Sequence, residues 1–298
     1  MLTTHQTATS QAIPIERKRR RLSWPSWGTV LTYAVLAVLI ALVILPFLWM
    51  FLGSFKPNYE LMRRQGQTLW IQDPTLENYR RLFQEYDFAR YFMNSALVAT
   101  VTATFATCIS AFAGYSLARF RFPGSSFFGM LILTTQMLPA IAIIIPLFIW
   151  FKRFHLIDTY WALFIAYNAF AIPFSTWMLR GFYANVPVEL EEAALTDGAS
   201  QFGAFLRIVV PLSAPGMLAT AIFSFILAWQ EFLFAVTFTS SANLRTLTVG
   251  IAAMRGKDVV DWGLLNAGAV ITTIPLAILF VLVQKYLVQG LTAGAVKG

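Results

Sequence analysis

Six stretches of this chain contain no Asp, Glu, Lys or Arg, and each reaches the roughly 20 residues a helix needs to cross a hydrocarbon core of about 30 Å. They run 28–54, 91–118, 122–151, 159–179, 209–230 and 262–284. With 58% of 298 residues hydrophobic and only 12% charged, a water-soluble domain would lack the polar surface it needs. The expected fold class is therefore an all-α membrane protein of six transmembrane helices, surrounded by membrane lipid. Trp49, Phe127 and Trp150 lie near the ends of the longer runs, where aromatic rings favour the interface.

The first run is too long for a secretory signal peptide and follows a polar tail, so it is expected to remain as a membrane helix. Arg17, Lys18, Arg19, Arg20 and Arg21 just precede it, and such clusters are held on the cytoplasmic side. The remaining Lys and Arg even out the balance between the two sides, so this cluster alone sets the orientation. Both termini are expected in the cytoplasm: a tail over 1–27, a six-span transmembrane domain over 28–289 and a second tail over 290–298. Cys108 is the single cysteine, and His5 and His155 are the two histidines. No intrachain disulfide, zinc site or haem site is expected. The net charge of +8 is spread through loops between apolar helices, which points to interfacial anchoring and away from nucleic acid.

Pro46, Pro139, Pro146, Pro173 and Pro275 fall inside the spans, where each removes a backbone hydrogen bond that neighbouring helices must help to satisfy. A bundle of bent helices is implied.

The connection between the fourth and fifth spans is unlike the others. Over 181–213 it reads as two short helices. Pro187 suits a first turn, and Glu189, Glu191 and Glu192 bring negative charge to the positive end of the helix dipole. Gly198 stands where the helix should stop, because glycine tolerates the left-handed conformation. Ser200 can cap a second helix that ends near Val210, ahead of Pro211. The product is a compact knob, acidic on one side and small on another, too short to be stable unless it docks into a groove.

Glu192-Ala193-Ala194, then Gly198, then Ile208-Val209-Val210-Pro211 resembles the EAA coupling motif of bacterial ABC importer permeases, with Val210 in place of the usual leucine. Further segments resemble the maltose-type carbohydrate branch of that family. These are Ser54 to Pro57, Pro74 to Tyr79, Asn94-Ser95, Gly114 to Arg119 and the closing run 290–298. Trp229 to Phe232 is similar to the family's Trp-Asn-(Asp/Glu)-Phe, with Gln230 departing from asparagine. The resemblance implies the type I importer permease fold in the bacterial inner membrane, with the knob as a cytoplasmic coupling helix. Implied ATPase contacts are Glu191, Glu192, Ala193, Ala194, Asp197, Gly198, Ile208 and Pro211, with Val296, Lys297 and Gly298 as a second contact. It also implies an ABC ATPase dimer holding ATP and Mg, a second homologous permease and an extracytoplasmic sugar-binding protein facing the loop 237–261. This chain would bind no cofactor and hydrolyse nothing.

No phosphate-binding Gly-x-x-x-x-Gly-Lys-Ser/Thr loop is present; Gly250 to Asp258 fails in spacing and in its ending. Gln136, Asn168, Ser224 and Trp229 offer amide, hydroxyl and indole groups suited to a sugar pathway, although hydrogen bonding between helices is the commoner reason for such groups. Glu231 borders the fifth run, and a carboxylate at depth is costly, so it should face protein or the interface. An ion-coupled transporter would be expected to hold more such groups. A membrane-embedded enzyme would need a nucleophile with its base, and no such set is visible. Glycerol 3-phosphate or a polyol stands as the alternative substrate to a disaccharide or oligosaccharide.

Overall fold

A computed structural model describes residues 27–63, 69–255 and 260–295, with side chains through 284. The implied contacts Val296, Lys297 and Gly298 and the basic cluster 17–21 lie outside the described residues. The chain divides at Phe47 into an N-terminal unit and a larger unit that begins at Leu48.

All regular structure among the described residues is helical. In order, these are α1 (Trp27–Ser54), α2 (Asn58–Leu61), α3 (Glu77–Gln84), α4 (Phe88–Arg119), α5 (Ser125–Gln136), α6 (Ala140–Arg153) and α7 (Tyr160–Ala184). Then follow α8 (Val188–Thr196), α9 (Gln201–Ala204), a π turn over Phe205–Val209, α10 (Val210–Leu212) and α11 (Ala214–Trp229). Last come α12 (Leu233–Phe238), a short 3-10 turn, α13 (Leu247–Ala253) and α14 (Trp262–Ala295).

Four helices are long and apolar enough to cross a membrane alone, and two bent pairs bring the total up to six if each counts as one span. The third expected span breaks between α5 and α6 with a 94° bend. Pro139 is the cause: it sits in extended conformation as the residue before α6 and supplies no N–H to continue the helix. Pro46, Pro146, Pro173 and Pro275, in contrast, remain inside their helices. The fifth expected span begins with a 77° bend at Ser213. Pro211 does not end the second loop helix as expected. The Val210 N–H reaches back to the Phe205 carbonyl through the π turn, and the helical path runs on to Leu212.

In the larger unit α4 packs along α7 and α11. Gly114 makes that approach possible, since a Cβ there would stand 3.0 Å from the Arg180 backbone N and 3.1 Å from the Thr176 carbonyl oxygen. Ser110 donates to the Ile172 carbonyl and accepts from Thr176 across the same seam. The core is centred on Phe88, Leu163, Tyr167, Trp229, Phe238 and Leu264, all almost fully buried.

The short motifs become hydrogen-bonded clasps. Asn78, from the segment 74–79, donates to the carbonyls of Ser54 and Lys56, both at 2.8 Å. The Tyr79 and Ser54 hydroxyls meet at 2.7 Å. Asn94 donates to the Asn243 and Arg245 carbonyls and accepts from Tyr160, while Ser95 accepts from the Leu247 N–H. These clasps sit at the end of the bundle where α4 begins.

Candidate functional site

The knob lies at the opposite end of α4. Helix α8 starts directly after Pro187, carries Glu189 and Glu191 in its first turn, and ends at Gly198, whose φ of +89° is left-handed. Ser200 then caps α9 by accepting the Gly203 N–H at 3.1 Å. Both signals read from the sequence operate as expected.

Glu191 does not. The resemblance implies it as an ATPase contact, but its side chain is only 4% exposed and pairs with Arg119 at 2.5 Å. Its second oxygen accepts from the Tyr115 hydroxyl at 2.7 Å. Arg119 also donates to the Val186 carbonyl, and Gln201 donates to the Tyr115 oxygen at 2.8 Å. Beneath this network Tyr115, Tyr183, Phe205 and Val209 form an apolar cluster with Leu179, and the Tyr115 and Phe205 ring centroids are 4.5 Å apart. The knob therefore docks first on its own chain, because a buried carboxylate needs a cation and Arg119 is positioned to supply it.

What remains outside mixes small and apolar residues with the carboxylates of Glu189, Glu192 and Asp197. Glu192, Ala193, Asp197 and Gly198 are exposed, as are Val188, Leu190, Phe202 and Leu206. Ala194, Asp197, Gly198 and Ile208, distant in the motif, line one groove of about 320 Å³ together with Arg207. Pro211 is exposed one turn further on.

A second, larger cleft of about 460 Å³ opens where two helix breaks meet. Gln136 and Ala140 come from the α5–α6 break, Gln230, Glu231 and Phe232 from the α11–α12 break, and Tyr167 and Phe170 from α7. Irregular backbone at this position is tolerated when it lines a cavity or is covered by protein. Glu231 caps α12, accepting the Phe234 N–H at 2.8 Å and the Ala235 N–H at 3.1 Å. The buried Tyr167 hydroxyl faces this carboxylate but has no well-formed hydrogen bond among the described residues.

Residues 106–293 match the family model described as binding-protein-dependent transport system inner membrane component. The chain belongs to this family. It is 38% identical to the trehalose/maltose transport system permease protein MalG of Thermococcus litoralis, over 88% of this chain and 95% of that protein. It is 37% identical to the probable ABC transporter permease protein YurM of Bacillus subtilis, over 97% and 94%. The trehalose transport system permease protein SugB of Mycobacterium tuberculosis is 35% identical over 89% and 97%. A bacterial ABC transporter chain involved in import of the acidic polysaccharide alginate superposes with a TM-score of 0.76 at 20% identity, over 89% of this chain and 99% of that one. The fold is that of an ABC importer permease.

For this permease, all four pathway candidates make bonds between or within helices. Ser224 meets the Ser175 hydroxyl at 2.9 Å, Trp229 donates to the Thr272 carbonyl, and Asn168 donates to the Phe164 carbonyl. Gln136 donates to the Phe170 carbonyl at 3.2 Å and also lines the cleft. Sequence reasoning singled out the segment holding Tyr115 and Arg119 without giving either residue a role, and it did not identify Tyr167. Arg119 was visible as a cation at a span end, but its partner is 72 positions away.

Proposed function

We propose that this chain is the membrane-spanning permease subunit of an ABC importer that moves a neutral carbohydrate, a disaccharide or oligosaccharide, into the cytoplasm by alternating access. Partner ATPases supply the ATP and Mg chemistry, and this chain binds no cofactor. The observation that carries the reading is the knob: an exposed surface of small, apolar and acidic residues, built beyond the ends of the spans, that nothing among the described residues covers. Glu192, Ala193, Ala194, Asp197, Gly198, Ile208 and Pro211 make its docking face. A second permease completes the pathway, and a sugar-loaded binding protein docks at the end where Asn94 and Ser95 clasp the outer loop.

The substrate class follows from the cleft and from the relatives that transport trehalose and maltose. Amides of Gln136 and Gln230 suit sugar hydroxyls, and Phe170 and Phe232 suit sugar faces. The lining carries one carboxylate, Glu231, and neither Lys nor Arg, which disfavours glycerol 3-phosphate as an anion.

The test is reconstitution of the chain with its ATPase, second permease and binding protein. Uptake of a labelled disaccharide should be vanadate-sensitive and persist after ion gradients are collapsed. Uptake that an ion gradient drives without ATP would overturn the reading in favour of a secondary transporter.

A further inference from the structure

Helix α4 is gripped at both ends. Towards its start, Asn94 and Ser95 hold the backbone of 243–247. At its finish, Arg119 takes both Glu191 of α8 and the Val186 carbonyl in the three-residue connector before it. That double grip fixes the one hinge, 185–187, that would otherwise let α8 swing relative to α7. Tyr115 adds a third point and, through Gln201, ties α9 to the same atom. Positions 94 and 119 are about 38 Å apart along a continuous helix at 1.5 Å per residue.

We propose that Arg119, Tyr115 and Glu191 are positioning residues that make α4 a transmission rod, joining the docking knob at one end to the outer loop 243–247 at the other. The proposal rests on the importer reading and adds the element through which the two ends communicate. A displacement of the knob moves α4 only while the clamp holds; without it α8 can follow its partner and leave α4 behind. The buried pair suits this role because its geometry is set by three hydrogen bonds, and removing one partner leaves an uncompensated charge that frees the joint.

The test uses the reconstituted importer. Glu191→Gln and the milder Tyr115→Phe loosen the knob end, and Asn94→Ala loosens the outer end. For each, one measures ATPase subunit retained on purification, ATP hydrolysed with and without loaded binding protein, and sugar moved per ATP. The expectation is retained assembly with sugar per ATP lowered about tenfold for Glu191→Gln, and less for Tyr115→Phe. The paired exchange Arg119→Glu with Glu191→Arg should recover part of the loss, and combining Asn94→Ala with Glu191→Gln should cost less than the two losses multiplied. Wild-type sugar per ATP in Glu191→Gln, multiplying effects at the two ends, or loss of the ATPase subunit from every impaired variant would each overturn the proposal. A wild-type chain that retains no ATPase at all would instead reject the importer reading itself.

Discussion

Glu191 and Glu192 are adjacent and chemically identical, yet one is buried on Arg119 and the other is exposed. One residue step on a helix turns a side chain by about 100°, so neighbours face different surroundings. The run of glutamates was legible in the sequence; which of them faces inward depends on a cation from a distant span. Gly114 shows the same limit, since a glycine in an apolar run does not say which helix it lies against. Gly114→Val should destabilise the detergent-solubilised protein by about 1–3 kcal/mol, because its Cβ would press on α7 backbone that cannot turn aside. A thermal melt against wild type reads this directly. Close to the end where α4 begins, Asp158 accepts both backbone and hydroxyl hydrogens of Ser241 and the Ser240 N–H. The Ser241 hydroxyl and N–H hold its carboxyl below the usual carboxylate range, outweighing a small opposing effect of burial. A lowered folded pKa means the clasp contributes fully above about pH 4 and loses that contribution as pH falls through the folded value. Hydrogen exchange at the Ser240 and Ser241 amides should therefore stay slow, after correction for intrinsic rates, down to about pH 4 and quicken below it. Asp158→Ala should remove that pH dependence.

Helices show a similar division. Apolar run length located every spanning segment to within a few residues, because the hydrocarbon thickness sets the length. Run length could not reveal that the third run is two helices at 94°; Pro139 was one of several prolines, and the others stay helical. What distinguishes it is its extended conformation just before α6, at a break that lines the cleft. The stop at Gly198 and cap at Ser200 were readable because they are local chemistry. Gly198→Ala places a Cβ at positive φ and should cost about 1 kcal/mol, and Ser200→Ala should cost about 1 kcal/mol through the lost cap. Each should weaken ATPase co-purification more than it lowers the melting temperature of the isolated permease, because the knob's exposed half has no other support. Equal losses in the two measurements would contradict a docking role. The path of the second loop helix through Pro211 was not readable, since the π turn that permits it lies upstream.

For the whole molecule, the knob and the clasped loop 239–247 stand at opposite ends of α4, so the two ends should be reached from opposite sides of the membrane. Replacing Cys108 by serine leaves a cysteine-free background. In it, Asp197→Cys should react with an impermeant maleimide in inverted vesicles and be protected in right-side-out ones. Ser240→Cys should show the reverse. Labelling of both from one side would contradict the six-span path. The sequence by itself determined the helical membrane class, the positions of the apolar runs, the helix stops in the loop and the family motif, because each is set by local residue chemistry or by the thickness of the bilayer. Only the tertiary structure decided that Glu191 belongs to Arg119, that Ser224 and Trp229 bind neighbouring helices, and that two helix breaks share one cleft. Those facts depend on residues far apart in sequence meeting across packed helices, and no one-dimensional pattern encodes which of several possible partners is reached.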